Sequence, residues 1–194
     1  MSQFTFNLEN KPALGRNDFI VSESNLNAIR WIDNWPNWSH NSSGLNVVGP
    51  KSSGKTHLGS VWCSLSKAEW VNAPITDGMH VRDILKNGQH IVLDNFNHTW
   101  PGVPLLHLYN LVRERKGFML IISNTPVAQL GFAPDDLASR LSTIPVVAIK
   151  PPDDFLLKEV MLKLFKDRQI AVEDGVVDYL VVRMERSFEE ALRL

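Results

Sequence analysis

A chain of 194 residues carrying 20 basic and 21 acidic side chains, net charge −1, is long enough to bury a core without disulfide or metal staples. That balance argues against a polybasic nucleic-acid binder, and a single cysteine, Cys63, excludes an internal disulfide framework and fits a reducing compartment. No apolar run approaches the roughly 18 residues of a membrane span, and MSQFTFNLENK has neither the basic start nor the apolar centre of a secretory signal, so a cytoplasmic protein without membrane association is expected.

Residues 1–16 mix polar and apolar side chains around Pro12 and Gly15 and read as an extended arm. From Ser24, Ala28, Trp31, Ile32 and Trp35 recur at the spacing of one helix face, which Pro36 and NWSHNSSG close. Trp31 and Trp35 on that face read as core rather than as a platform for stacking bases. LNVV (45–48) is a short apolar strand running into a glycine-bounded loop. EWVNAPI (69–75), HIVLD (90–94), FMLIIS (118–123) and IPVVAI (144–149) supply four more strands. Leu105, Leu108, Tyr109 and Val112 mark a helix face between the third and fourth. Continuous apolar strands alternating with helical stretches predict an α/β fold over residues 17–150, with a five-stranded, mostly parallel sheet covered on both faces.

After KPPDD the strand signals stop. Leu157, Val160, Met161, Leu164 and Phe165 line one helix that Asp153 or Asp154 is placed to cap. Val176, Val177, Leu180 and Val181 line a second, and a third begins near Ser187. Residues 151–194 therefore read as a small helical lid, incomplete because its last helix is still running at Leu194.

GPKSSGKT, residues 49–56, satisfies the phosphate-loop pattern G-x-x-x-x-G-K-S/T and follows an apolar strand, the context the motif requires. Gly49 and Gly54 let the loop curl so that its N–H groups, with those of Pro50–Ser53's non-proline members, face phosphate oxygens. The next helix presents its positive end to the same anion. Lys55 adds charge at the β- and γ-phosphates, and Thr56 offers a hydroxyl to Mg²⁺. The candidate nucleotide-binding residues are Gly49, Pro50, Lys51, Ser52, Ser53, Gly54, Lys55, Thr56 and His57, with ATP or ADP as ligand. Asp94, closing IVLD on what is expected to be the neighbouring strand, is the second candidate Mg²⁺ residue. Asn95 follows it, and an amide cannot take a proton from an attacking water as a carboxylate can.

GPKSSGKTHL, IVLDNF, LYNLVRERKGFMLIISNTP, DLASRL and ERSFEEAL, with NDFIVSESNLNAIRWI near the start, occur in the order found in the DnaA-related AAA+ ATPases. The chain resembles most closely the Hda family, DnaA homologues that inactivate the replication initiator. The resemblance implies a P-loop AAA+ core with a helical lid, and it assigns roles. Asn124 matches sensor 1, near the γ-phosphate. Arg140 matches the arginine finger, acting in trans on a nucleotide held by a neighbouring subunit. Arg186 matches sensor 2. Asp18, Phe19 and Ile20, with Asn25, match the wall of the adenine site.

Gln3, Phe4, Phe6 and Leu8 resemble the Q-L-x-L-x-L peptide by which Hda proteins bind the sliding clamp, the β subunit of DNA polymerase III. The partners implied are DnaA and that clamp, with ADP as the active ligand and a capacity for homo-oligomer formation. DnaA itself continues into a helix-turn-helix domain for which residues after 150 leave no room, and RERK (113–116) reads as helix-end chemistry. Contact with DNA is thus expected to be indirect. The function expected is regulation: little intrinsic turnover, and stimulation of hydrolysis of DnaA-bound ATP. The competing readings are a self-assembling AAA+ ATPase or helicase loader acting on DNA, and a small-metabolite P-loop kinase, whose acceptor pocket and lid arginines have no counterpart in the sequence.

Overall fold

The apolar runs pair into a single sheet because each is short, β-branched and flanked by loop residues. Gly44–Val48 (β1), Glu69–Val71 (β2), Ile91–Phe96 (β3), Met119–Ser123 (β4) and Val146–Ala148 (β5) lie parallel in the order β2-β3-β4-β1-β5. The structure, a computed structural model, describes residues 15–38, 42–76, 78–86, 88–173 and 175–193. Both edge strands are shorter than their apolar runs, since an edge strand has only one neighbour to hold it in register. The order also corrects one expectation: β4 lies between β1 and β3, so Asp94 is not on the strand beside the phosphate loop's own.

The period of two along each strand divides the core. Leu120 and Ile122 of β4 pack with Leu26–Asp33 (α1) and Lys55–Ser66 (α2), through Ile29, Ile32, Leu58 and Trp62. Met119 and Ile121 face the other way, toward Gly78–Ile84 (α3), Gly102–Glu114 (α4) and Asp135–Ser142 (α5), through Leu105, Leu108, Val112, Leu137 and Leu141. Each fully buried leucine or isoleucine contributes about 1.5–3 kcal/mol.

Helix α1 ends at Asp33, so Trp35 packs from the turn beyond it, and Trp31 and Trp35 are only partly buried. The tryptophans sealed in this layer are instead Trp62 and Trp38, stacked with ring centroids 5.4 Å apart. Of the basic cluster at the end of α4, Arg115 is committed to the helical layer: it donates to the carbonyl oxygens of Leu85 and Gly88 just beyond α3.

Asp154–Asp167 (α6), Val176–Arg183 (α7) and Phe188–Arg193 (α8) follow, packed around Leu157, Met161, Val177, Val181 and Ala191. Asp153 caps α6 by accepting the Leu156 N–H at 2.8 Å. Val176 lies outside this small core, 41% exposed. Among the described residues no helix is long and apolar enough to cross a membrane.

At the end of β3 the register against β4 shifts between Leu93 and Phe96, and Asn95 takes φ +54°. The left-handed region disfavours most L-residues and tolerates asparagine, so the amide at 95 has a backbone reason. Asp94 Oδ1 accepts the Asn95 N–H at 2.8 Å and fixes the kink. Asn95→Glu should therefore lower stability in denaturant unfolding by about 1 kcal/mol, with Asn95→Gly close to the parent. Equal losses for the two would show that the side chain, not the backbone, dictates the residue.

Candidate nucleotide-binding site

Strand β1 ends at Val48 and α2 opens at Lys55, leaving six residues to turn the chain. Ser52 and Gly54 turn it with φ of +56° and +90°. Gly49 passes so near β5 that a Cβ there would stand 2.6 Å from the Ile149 carbonyl oxygen. The curl leaves the first N–H groups of α2 without helical partners, aimed into the loop. Lys55, 9% exposed, reaches back and donates from Nζ to the carbonyl oxygens of Gly49 (2.9 Å) and Pro50 (2.6 Å). Burial pulls its pKa below the ordinary lysine value, and the charge of Asp94 opposes that shift. Ser53 Oγ is buried in the same curl with no hydrogen-bond partner.

Thr56 Oγ1 donates to Asp94 Oδ2 at 3.1 Å, joining the start of α2 to the end of β3 across the intervening β4. Asp94 is buried and Thr56 exposed, so the pair presents two hard oxygen ligands at the mouth of the loop. Among the described residues no group of three or more His, Cys, Asp or Glu is placed to hold a metal. The donor set suits Mg²⁺, which binds through one or two protein oxygens together with phosphate and water.

The segment expected to wall the adenine is brought against both α2 and the lid. Phe19 packs edge-on to His57 with centroids 5.1 Å apart, and Asp18 accepts from Lys163 of α6 at 2.7 Å. Asn25 holds the segment's bend by donating to the Ile20 carbonyl and accepting the Ser22 N–H, both at 3.0 Å. Lys163 holds the Asp18 carboxyl below its usual range. Burial pushes the His57 imidazole below its usual value, against the Gly15 carbonyl, and its Nε2 has no hydrogen-bond partner.

No protein-family model matches the chain. By overall structure it is similar to domain III of the Thermotoga maritima replication initiation protein DnaA, with a TM-score of 0.75 at 16% identity over 93% of this chain and 85% of that one. AMPPCP-bound DnaA from Aquifex aeolicus gives 0.72 at 17% identity, covering 94% and 63%. A Thermotoga maritima RuvB variant gives 0.71 at 15%, covering 93% and 62%. The chain shares its fold with these proteins. The chain spans about three fifths of the longer initiator chains it matches, 61% and 63% of two of them.

Within this fold the remaining candidates fall in different places. Asn124 stands exposed just beyond β4, the strand between those that carry the loop and Asp94. Arg140 lies on α5, whose Leu137 and Leu141 pack on the sheet face opposite α2. Its Nε donates to Asp136 at 3.0 Å and its guanidinium lies over Tyr109, 5.8 Å from the ring centroid. Arg186 pairs with Asp154 at 3.0 Å on the lid itself. The lid meets the loop three residues later, where Glu189 pairs with Lys51 at 3.2 Å and the Phe188 ring lies beside Gly54. Gln3, Phe4, Phe6 and Leu8 lie outside the described residues. The sequence reading missed Glu189, and it missed Asn46, a fully buried amide in β1 whose only signal was a polar residue inside an apolar strand.

His57 and Asp18 both have depressed folded-state pKa values, so each favours the folded state above its unfolded pKa and loses that advantage as pH falls through the folded one. For His57 the loss begins near pH 6.5, and for Asp18 near pH 4. Thermal unfolding followed from pH 7.5 to pH 5 should show a smaller fall in Tm for His57→Gln than for the parent. An equal fall would place the acid sensitivity elsewhere.

Proposed function

We propose that the chain is a nucleotide-binding AAA+ regulator of replication initiation, acting on the nucleotide of a DnaA partner. The observation that carries the nucleotide reading is the loop: a left-handed curl around a buried lysine, opening on the Thr56–Asp94 oxygen pair. Gly49 to His57 hold ADP or ATP, Thr56 and Asp94 hold Mg²⁺, and Asp18, Phe19 and Ile20 wall the base. Bound nucleotide supplies the phosphate charge that Asn124 and Arg186 read.

The regulatory half rests on Arg140. The helix that carries it packs on the opposite face of the sheet from the helix that opens at its own loop, which supports a role toward another subunit. Its side chain is 31% exposed and its partners are a surface aspartate and a ring, so it can exchange Asp136 for a phosphoryl group without leaving a buried charge unpaired. A finger supplied in trans stabilises charge on the transferring phosphoryl group and is worth roughly 10³–10⁵ in rate. At Asn95 the chain lacks a second carboxylate to activate water, which supports weak turnover of its own nucleotide.

The N-terminal Gln3, Phe4, Phe6 and Leu8 fit an extended peptide that lays alternate side chains into a groove of the sliding clamp. Through that tether the protein reaches DNA indirectly and works in the cytoplasm. Similarity in fold to DnaA supports the replication context.

Hydrolysis of ATP by DnaA, measured with this protein, clamp and DNA, should fall by about 10³ on Arg140→Ala. Nucleotide binding by the variant should match the parent. Equal hydrolysis with parent and variant would remove the finger from the mechanism.

A further inference from the structure

Asn46 lies at the middle of β1, with β4 on one side and β5 on the other, at 0% exposure. Leu45 and Val47 pack into the core under α1 and α2, so the strand's alternation turns Asn46 to the other face. An amide buried without partners is strongly unfavourable, so its bonds explain why an apolar strand carries it. Nδ2 donates to the Ile121 carbonyl at 3.0 Å and to Ser123 Oγ at 2.9 Å, while Oδ1 accepts the Val127 N–H at 3.0 Å. The orientation of the amide is forced, because Val127 N–H only donates and the Ile121 carbonyl only accepts. Ser123 Oγ relays the chain by donating to the Thr125 carbonyl at 2.7 Å.

These bonds close on one short turn. Ser123 and Val127 bound it, Thr125 is tied from inside, and Pro126 has no N–H to offer an alternative arrangement. Asn124 stands exposed at its tip. An untied surface turn spreads over several conformations, whereas a group that reads one phosphate oxygen needs to be held to about 0.5 Å.

We infer that Asn46 is a positioning residue: through Ser123 and Val127 it sets where Asn124 stands, and so how well the site tells a triphosphate from a diphosphate. This rests on the reading of Asn124 as a phosphate sensor. A leucine at 46, with the same branching but no polar atom, would remove every tie, and alanine at 123 would cut the relay alone.

The test measures Kd for Mg–ADP and for a non-hydrolysable Mg–ATP analogue in Asn46→Leu, Ser123→Ala, Asn124→Ala and the Ser123→Ala/Asn124→Ala double variant. Each single variant is expected to weaken the ATP analogue about fivefold or more relative to ADP, with ADP binding within about twofold of the parent. The double variant is expected to be no worse than Asn124→Ala. Equal weakening of both nucleotides, or effects that add, would reduce Asn46 to a packing residue and overturn the inference. An effect of Asn124→Ala without one of Ser123→Ala or Asn46→Leu would do the same while leaving the sensor reading intact. No change of ratio in Asn124→Ala would overturn the sensor reading and this inference together, with the phosphate loop unaffected. If thermal unfolding shows that Asn46→Leu does not fold, Ser123→Ala decides the matter alone.

Discussion

The hydrogen bond from Thr56 to Asp94 spans a strand, and the site depends on that reach. The two residues are 38 apart in sequence: Thr56 opens the helix that follows β1, Asp94 lies on β3, and those two strands do not pair. They meet because every strand of a parallel sheet ends on the same edge, so that loops leaving β1, β3 and β4 share one rim. The kink at Asn95 completes the approach. By bending the end of β3 and capping the kink with its own N–H, it leaves the other carboxylate oxygen of Asp94 for Thr56.

Charge on that rim is arranged in opposition. Lys55 and the opening of α2 make the loop positive, and burial alone would drive the lysine toward its neutral form. Asp94 opposes that, and its oxygens, with the Thr56 hydroxyl, form a donor set of the kind that suits Mg²⁺. The lid is tied to this rim by a surface pair, Lys51 with Glu189, and a half-buried one, Asp18 with Lys163. Solvent screens pairs of that kind, so they hold the lid only loosely. Phe188 against Gly54 adds an apolar contact.

What could be read from the sequence was what local chemistry dictates. The phosphate loop was legible because its residue types follow from backbone curvature and charge, and the five strands because each is a closed apolar run. Strand order was not, since nothing local tells β3 that β4 will lie between it and β1. Trp31 and Trp35 had the period of a buried face, but the helix stopped short of Trp35 and the sealed tryptophans came from elsewhere. Asn95 read as a missing acid until its backbone angle gave the amide a structural cause. Asn46 was hidden inside LNVV, because a single polar residue in an apolar run carries no sign of the three partners waiting across the sheet.

The central claim is that the curled loop and Asp94 together form a Mg²⁺-assisted nucleotide site. Titration calorimetry of ADP and ATP into the parent, Lys55→Ala and Asp94→Asn, with Mg²⁺ and with chelator, tests it most directly. The account predicts one site per chain, lost in Lys55→Ala, and an affinity that rises with Mg²⁺ in the parent but not in Asp94→Asn. Binding of equal strength in the parent and Lys55→Ala would contradict it.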